Sequence, residues 1–164
     1  MNLPGPSLSI DPSLRCTGIV CWRANGTVVT ARTVRTEKES KKRRIYVGDD
    51  DCRRLAMLEN VLKALMLEGY RFAIAEQPAG SQSYRGAKAE GMMLGVLTGV
   101  FGLAVRWVQA RDVKKAATGR YKAEKNEMVE WAKLHYPETM ALQKTKPERE
   151  AIADALATMI AFGG

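Results

Sequence analysis

Apolar positions along this chain change their period several times, and each change marks an element. Leu8-Ser-Ile-Asp11 is a short apolar run that ends on a carboxylate before Pro12, and Thr17-Gly-Ile-Val-Cys-Trp-Arg23 reads as a strand. Asn25-Gly26 is a strong hairpin signal, and the β-branched run over 27–34 supplies the return strand. Three opening strands in that order predict an antiparallel meander. Residues 35–44 are polar, include six basic side chains and read as an exposed loop. Asp49, Asp50 and Asp51 can cap a helix whose face is drawn by Leu55, Leu58, Leu62 and Leu65 and which Gly69 ends. Arg71-Phe-Ala-Ile-Ala-Glu76 has no polar alternation, the pattern of a central strand covered on both faces. A second helix over 86–100, a fifth strand over 103–108 and helices over 112–117, 123–135 and 148–162 complete the chain.

Three strands, then helix-strand-helix-strand, then helices is the element order of the ribonuclease H-like fold. The expectation is therefore an α/β chain: a five-stranded mixed sheet, three strands antiparallel and two parallel, flanked by helices. At 164 residues, 46% of them hydrophobic, the chain (1–164) fits one domain with a sizeable core. Twenty-six Lys and Arg against 18 Asp and Glu give a net charge of +8, so an anionic partner is expected, nucleic acid first and acidic membrane second. Cys16, Cys21 and Cys52 form no CxxC pair and have only His135 for company, which excludes a disulfide framework and a zinc site. A reducing cytoplasm suits them, bacterial or, for a phage-encoded chain, that of the host. The opening MNLPGPSLSID shows no signal peptide. The apolar stretch from Met92 to Val108 is interrupted by glycines and ends in charge, so it is not read as a membrane span.

The informative feature is where acids sit against apolar strands. Asp11 and Glu76 each end one, and a buried carboxylate without a partner costs several kcal/mol. Near the C-terminus Pro147 suits a first helical turn, and Glu150 and Asp154, four apart, share one face above Ala151, Ala153 and Ala155. If the strands are neighbours, Asp11, Glu76, Glu150 and Asp154 converge. Such a set suits Mg²⁺, with Mn²⁺ able to substitute, and is large enough for two ions about 4 Å apart that would promote water attack on a phosphodiester. Each acid also has a plainer reading. Asp11 can be a turn former, Glu76 a solvated strand end, and Glu150 with Asp154 a solvated helix face.

Leu8-Ser-Ile-Asp-Pro-Ser-Leu-Arg-Cys-Thr-Gly18 resembles the opening of RuvC Holliday junction resolvases, and Ala73-Ile-Ala-Glu-Gln77 resembles their second acidic strand. Ala110-Arg-Asp-Val-Lys114, Ala123-Glu-Lys125 and Ala153-Asp-Ala-Leu-Ala157 resemble the later helices, in order, over nearly the whole chain. The resemblance implies a crossover junction endodeoxyribonuclease with Asp11, Glu76 and Asp154 as metal ligands, and Lys114 and Lys125 near the scissile DNA. It implies 5′-phosphate and 3′-hydroxyl products. Three departures stand out. Ala151 occupies the place where many members carry an acid or histidine, and Glu150 is the substitute that shares a face with Asp154. Gln77-Pro-Ala-Gly-Ser-Gln-Ser83 lacks the aromatic usual after the second acid, which leaves Tyr84 for base stacking, or equally for a surface role. Ser13 replaces a glycine. Arg43 and Arg44, in the basic segment, are candidates for phosphate contact, with a solvated loop as the default.

Gly91, Gly95 and Gly99 make a smooth stripe on the second helix, with Gly86 and Ala87 ahead of it. Such a stripe lets a helix lie close to a sheet or to another helix; the resemblance implies a homodimer formed through it, offering two sites to a four-way junction. Branched DNA is thus the expected partner, with paired nicks in recombination, repair or phage DNA processing. Rival readings keep the chemistry and change the substrate, to flap or fork DNA or an RNA-DNA hybrid, or keep junction binding and lose turnover, as Ala151 allows. An actin-like kinase needs two such domains and is set aside. His135 is a helix C-terminal partner, and Trp22, Trp107 and Trp131 are packing residues.

Overall fold

A computed structural model describes residues 3, 5–37, 46–78 and 80–163. The strands are β1 (Ser7–Asp11), β2 (Cys16–Trp22), β3 (Val28–Arg35), β4 (Phe72–Gln77) and β5 (Val105–Gln109). They form one sheet in the order β3-β2-β1-β4-β5. β1 to β3 pair antiparallel, while β4 lies parallel to β1 and β5 parallel to β4. This is the mixed sheet expected from the pattern of the chain. Around it run α1 (Val47–Leu67), α2 (Tyr84–Phe101), α3 (Ala110–Thr118), α4 (Lys125–His135), α5 (Pro137–Ala141) and α6 (Lys146–Gly163).

Period-two alternation sorts the sheet's side chains into two cores. Leu8, Ile10, Ile19, Cys21, Ala73 and Ala75 point to α1 and α2, where Leu58, Leu62, Leu65, Met93 and Leu97 cover them. Val20, Trp22 and Ile74 point the other way, to the layer of α3, α4, α5 and α6. On that second face β1 presents Ser7, Ser9 and Asp11; Ser9 is fully buried, and its Oγ accepts a hydrogen bond from Trp22 Nε1 at 2.8 Å. Trp22 packs edge-on against Tyr136, 6.0 Å between ring centres. Trp131 contacts both Tyr136 and His135, so His135 ends α4 in its last, dipole-negative turn.

Local chemistry moved some boundaries. Asp49 and Asp50 lie in the first turn of α1 rather than capping it, since Tyr46 holds the N-cap without a side-chain bond. Ser83 caps α2 through its Oγ, which accepts from the Gly86 amide, so α2 begins two residues earlier than its apolar pattern suggested. The one-turn α5, opened by Pro137, carried no periodic signal.

The glycine stripe does not face the sheet. Gly91, Gly95 and Gly99 are exposed, and a β-carbon built on any of them would meet nothing within 4 Å, so close intramolecular packing is not their purpose. Within Tyr84–Ala104 an 18-residue window reaches a mean hydropathy of 1.2, long and apolar enough to cross a bilayer by composition, with 17% of that window buried in the molecule. Met93, Leu97 and Phe101 are nevertheless core residues, so α2 is docked by one stripe and turns the rest of its apolar surface outward.

Candidate active site

Asp11 is the last residue of β1 and Glu76 the penultimate residue of β4. Ile10 pairs with Ala75 in the parallel ladder, which sets the two carboxylates side by side at the same edge of adjacent strands. Glu76 is two residues beyond Ile74 and therefore shares its face, the one covered by α6, as does Asp11 two residues beyond Ser9.

On its other side Asp11 is paired with Gly18 of β2. A β-carbon at Gly18 would stand 2.1 Å from the carbonyl oxygen of Ala151, closer than any real contact. The missing side chain is what lets α6 lie against β2. Ala151, Ile152 and Ala153 are buried in that approach, while Asp154 and Glu150, which are only partly covered, line the cleft. All four acids border one cleft of about 990 Å³, together with Ser13, Arg15, Cys16, Arg35, Arg54, Lys114 and Lys125.

Burial is the first reason that the Asp11 carboxyl is held well above its ordinary range, and the charges of Asp154 and Glu76 add to it. Burial and Asp154 push Glu76 up to about 7 against the pull of Lys114 and Lys125. Asp154 rises to about 6, again chiefly by burial, with Lys125 and Lys114 opposing and Glu150 assisting. Three carboxyls with upward shifts in one cleft are a site short of positive charge. Glu150 is the acid with cations on it: Lys125 Nζ donates to its Oε2 at 3.3 Å, and Lys146 Nζ lies 3.7 Å from its Oε1. Burial works against the Lys125 charge, but the Glu150 hydrogen bond, with Glu150, Asp154 and Asp11 nearby, raises its pKa overall.

Among the described residues no three His, Cys, Asp or Glu side chains close to the spacing of a finished metal cage. Lys125 and Lys146 occupy Glu150. The donor set is nevertheless all oxygen, which suits a hard divalent cation. Mg²⁺ in particular keeps several waters and needs one or two carboxylates rather than a complete protein cage.

Lys114 and Lys125, which the resemblance implies lie near the scissile DNA, both line this cleft. Tyr84, 85% exposed at the start of α2, does not line it. Arg43 and Arg44 lie outside the described residues. Two residues of the site have roles that the sequence does not show. One is Gly18; the other is Arg54, 3% exposed. Arg54 Nε donates to Thr36 Oγ1 and its Nη2 to the Leu14 carbonyl, both at 2.9 Å, while Asp51 and Asp50 lie 3.8 and 4.0 Å from its Nη1. It ties α1 to the loop that leaves Asp11. The available signal was position 54 itself, which extends the Leu58, Leu62 and Leu65 stripe with a charge.

No protein-family model matches the sequence, and a search of curated proteins returns no match. Solved structures do match. The chain is similar to Thermus thermophilus RuvC in complex with a Holliday junction substrate, with a TM-score of 0.70 and 18% identity over 97% of this chain and 93% of that one. It is also similar to a second structure of T. thermophilus RuvC, with a TM-score of 0.64 and 17% identity over 94% and 93%. The shared feature at these identities is the fold, the ribonuclease H-like sheet with its flanking helices.

Proposed function

We propose that this chain is a divalent-metal-dependent endonuclease that hydrolyses phosphodiesters in branched DNA, four-way junctions foremost. The observation that carries the reading is the convergence of Asp11, Glu76, Glu150 and Asp154, from β1, β4 and α6, in a cleft with lysines on its wall. Three of these acids have pKa values raised by burial and mutual repulsion, and a bound cation relieves both causes. Mg²⁺ or Mn²⁺ held by Asp11, Glu76 and Asp154, with Glu150 as the fourth ligand, would supply an activated water and charge stabilisation at the phosphate. Lys125 then has a second task. Released from Glu150, its ammonium can meet a phosphate oxygen, with Lys114 beside it on the same wall. The net charge of +8 favours any polyanion, so the choice of branched DNA leans on the fold shared with a RuvC that is known in complex with a Holliday junction.

The proposed assembly is a homodimer through the outward face of α2, where Gly91, Gly95 and Gly99 would let a second α2 approach closely. Two copies of the cleft would allow paired nicks.

Substrate choice is tested with a labelled synthetic four-way junction beside linear duplex, flap and RNA-DNA hybrid of matched sequence, in Mg²⁺ and in Mn²⁺. Symmetrical nicks on the junction, with duplex spared, are expected. Preferred cleavage of flap or hybrid would move the substrate and keep the chemistry; binding without cleavage in either metal would leave a junction-binding protein.

A further inference from the structure

Between the two cleft lysines, the turn from α3 to α4 carries chemistry that the cleft does not use. Over 114–125 the chain reads Lys-Lys-Ala-Ala-Thr-Gly-Arg-Tyr-Lys-Ala-Glu-Lys, five basic residues against one acid, with an aromatic in their midst. Gly119 turns the chain off α3 in the left-handed region, at φ 74°, and Ala123, 3% exposed, anchors the far side of the loop in the core. Between those two fixed points Tyr121 stands 53% exposed. It is held in place from below: Lys115 Nζ donates to its hydroxyl at 3.0 Å and lies 4.9 Å from its ring centre. Arg120 is paired with Glu127 on α4, and Lys122 is exposed. An aromatic ring more than half open to solvent and flanked by cations suits the face of a base beside its phosphates.

Position relative to the cleft supports the same partner. Lys114 and Lys125, at the two ends of this segment, both line the cleft. Tyr121 is four residues from Lys125, so their Cα atoms are at most about 14 Å apart. At about 3.4 Å per nucleotide along a stacked strand, that spans roughly four base steps from Lys125 at the cleft wall.

We infer that the α3–α4 loop is a docking surface for the DNA strand leaving the cleft, with Tyr121 stacking on an unpaired base at the branch and Arg120 and Lys122 meeting the flanking phosphates. The inference rests on the nuclease reading and adds to it a source of branch preference. Duplex DNA keeps its bases stacked and offers Tyr121 nothing, whereas a branch point with unstacked bases offers a face.

The test is binding without metal, by fluorescence anisotropy, to a four-way junction with 2-aminopurine at the crossover and to linear duplex of the same sequence. Tyr121→Ala is expected to weaken junction binding about 10-fold, the order of one lost stacked base, with duplex binding nearly unchanged. Tyr121→Phe and Tyr121→Trp should retain binding and the change in 2-aminopurine emission. Junction affinity unaltered in Tyr121→Ala would overturn the inference. So would equal losses on junction and duplex, or a loss in Tyr121→Phe as large as in Tyr121→Ala, which would make the tyrosine only a hydroxyl anchor for Lys115. A native chain that binds and cuts the junction while Tyr121→Ala behaves identically defeats this inference alone. A native chain that neither binds nor cuts branched DNA defeats the nuclease reading, and this inference with it.

Discussion

Asp11, Glu76 and Asp154 are acids whose folded-state pKa values lie above their unfolded ones, by burial first and by one another's charge second. The folded metal-free chain therefore binds more protons than the unfolded chain, and its stability falls as pH rises from the ordinary carboxyl range near 4 through about 6 for Asp154 and about 7 for Glu76. A lower thermal midpoint at pH 8 than at pH 5 is expected in EDTA. Added Mn²⁺ should raise the midpoint at pH 8 and do little at pH 5, where protons compete for the same oxygens. Asp11→Asn should raise the metal-free midpoint at pH 8 and abolish the Mn²⁺ shift. A midpoint that climbs from pH 5 to pH 8 in EDTA would mean that the three acids are already satisfied by the protein. Ala151 is the chain's departure from the resembled pattern, and Glu150, one residue earlier on the same cleft, is the proposed substitute. Glu150→Gln should lower the single-turnover cleavage rate on the order of 10²- to 10³-fold, the loss of several kcal/mol of ion-mediated stabilisation. An unchanged rate would remove Glu150 from the ligand set.

At the scale of elements, the site exists because α6 can lie on β2 and because α1 holds the loop after Asp11. Gly18→Ala would drive a methyl group into the Ala151 carbonyl, so α6 must shift and Asp154 with it. A cost of about 1–3 kcal/mol from overpacking is expected by denaturant titration, with a fall in cleavage rate larger than the fall in junction affinity. Arg54→Met keeps the bulk of the side chain but leaves Leu14 and Thr36 without their donors; a loss on the order of 3 kcal/mol is expected by the same titration. Both residues act through contacts distant in sequence. Strand order and most helices were legible, since apolar period and hairpin chemistry are local signals. Asp11, Glu76, Glu150 and Asp154 could be nominated because acids beside apolar runs are anomalous. Gly18 could not, because its reason is a backbone 133 positions away, at Ala151, and a glycine in a strand has several local explanations. Arg54 is partnered across 40 residues by Leu14 and was hidden in a helix with many charges. Tyr121 was passed over because its setting depends on a turn at Gly119 that folds it back on Lys115.

At the scale of the whole molecule, the outward face of α2 is apolar and open among the described residues. Exposed Gly91, Gly95 and Gly99 with partly exposed Met92 and Val96 would be poorly explained in a monomer. Sedimentation equilibrium should give a mass near twice the 18.1 kDa of one chain, and Gly95→Glu should return it to one chain while preserving the fold, since position 95 is exposed and a β-carbon there meets nothing within 4 Å. A monomeric native chain would remove the dimer and, with it, the basis for paired nicks. The four acids are proposed to hold the ion that cleavage needs. That role is tested most directly by the initial rate of strand cleavage on a labelled four-way junction, measured against Mg²⁺ concentration for the native chain and for Asp154→Asn. The native rate should rise with Mg²⁺ to a plateau and vanish in EDTA, while Asp154→Asn binds the junction and does not cut it. Cleavage that persists in EDTA, or a variant that cuts as fast as the native chain, would contradict it.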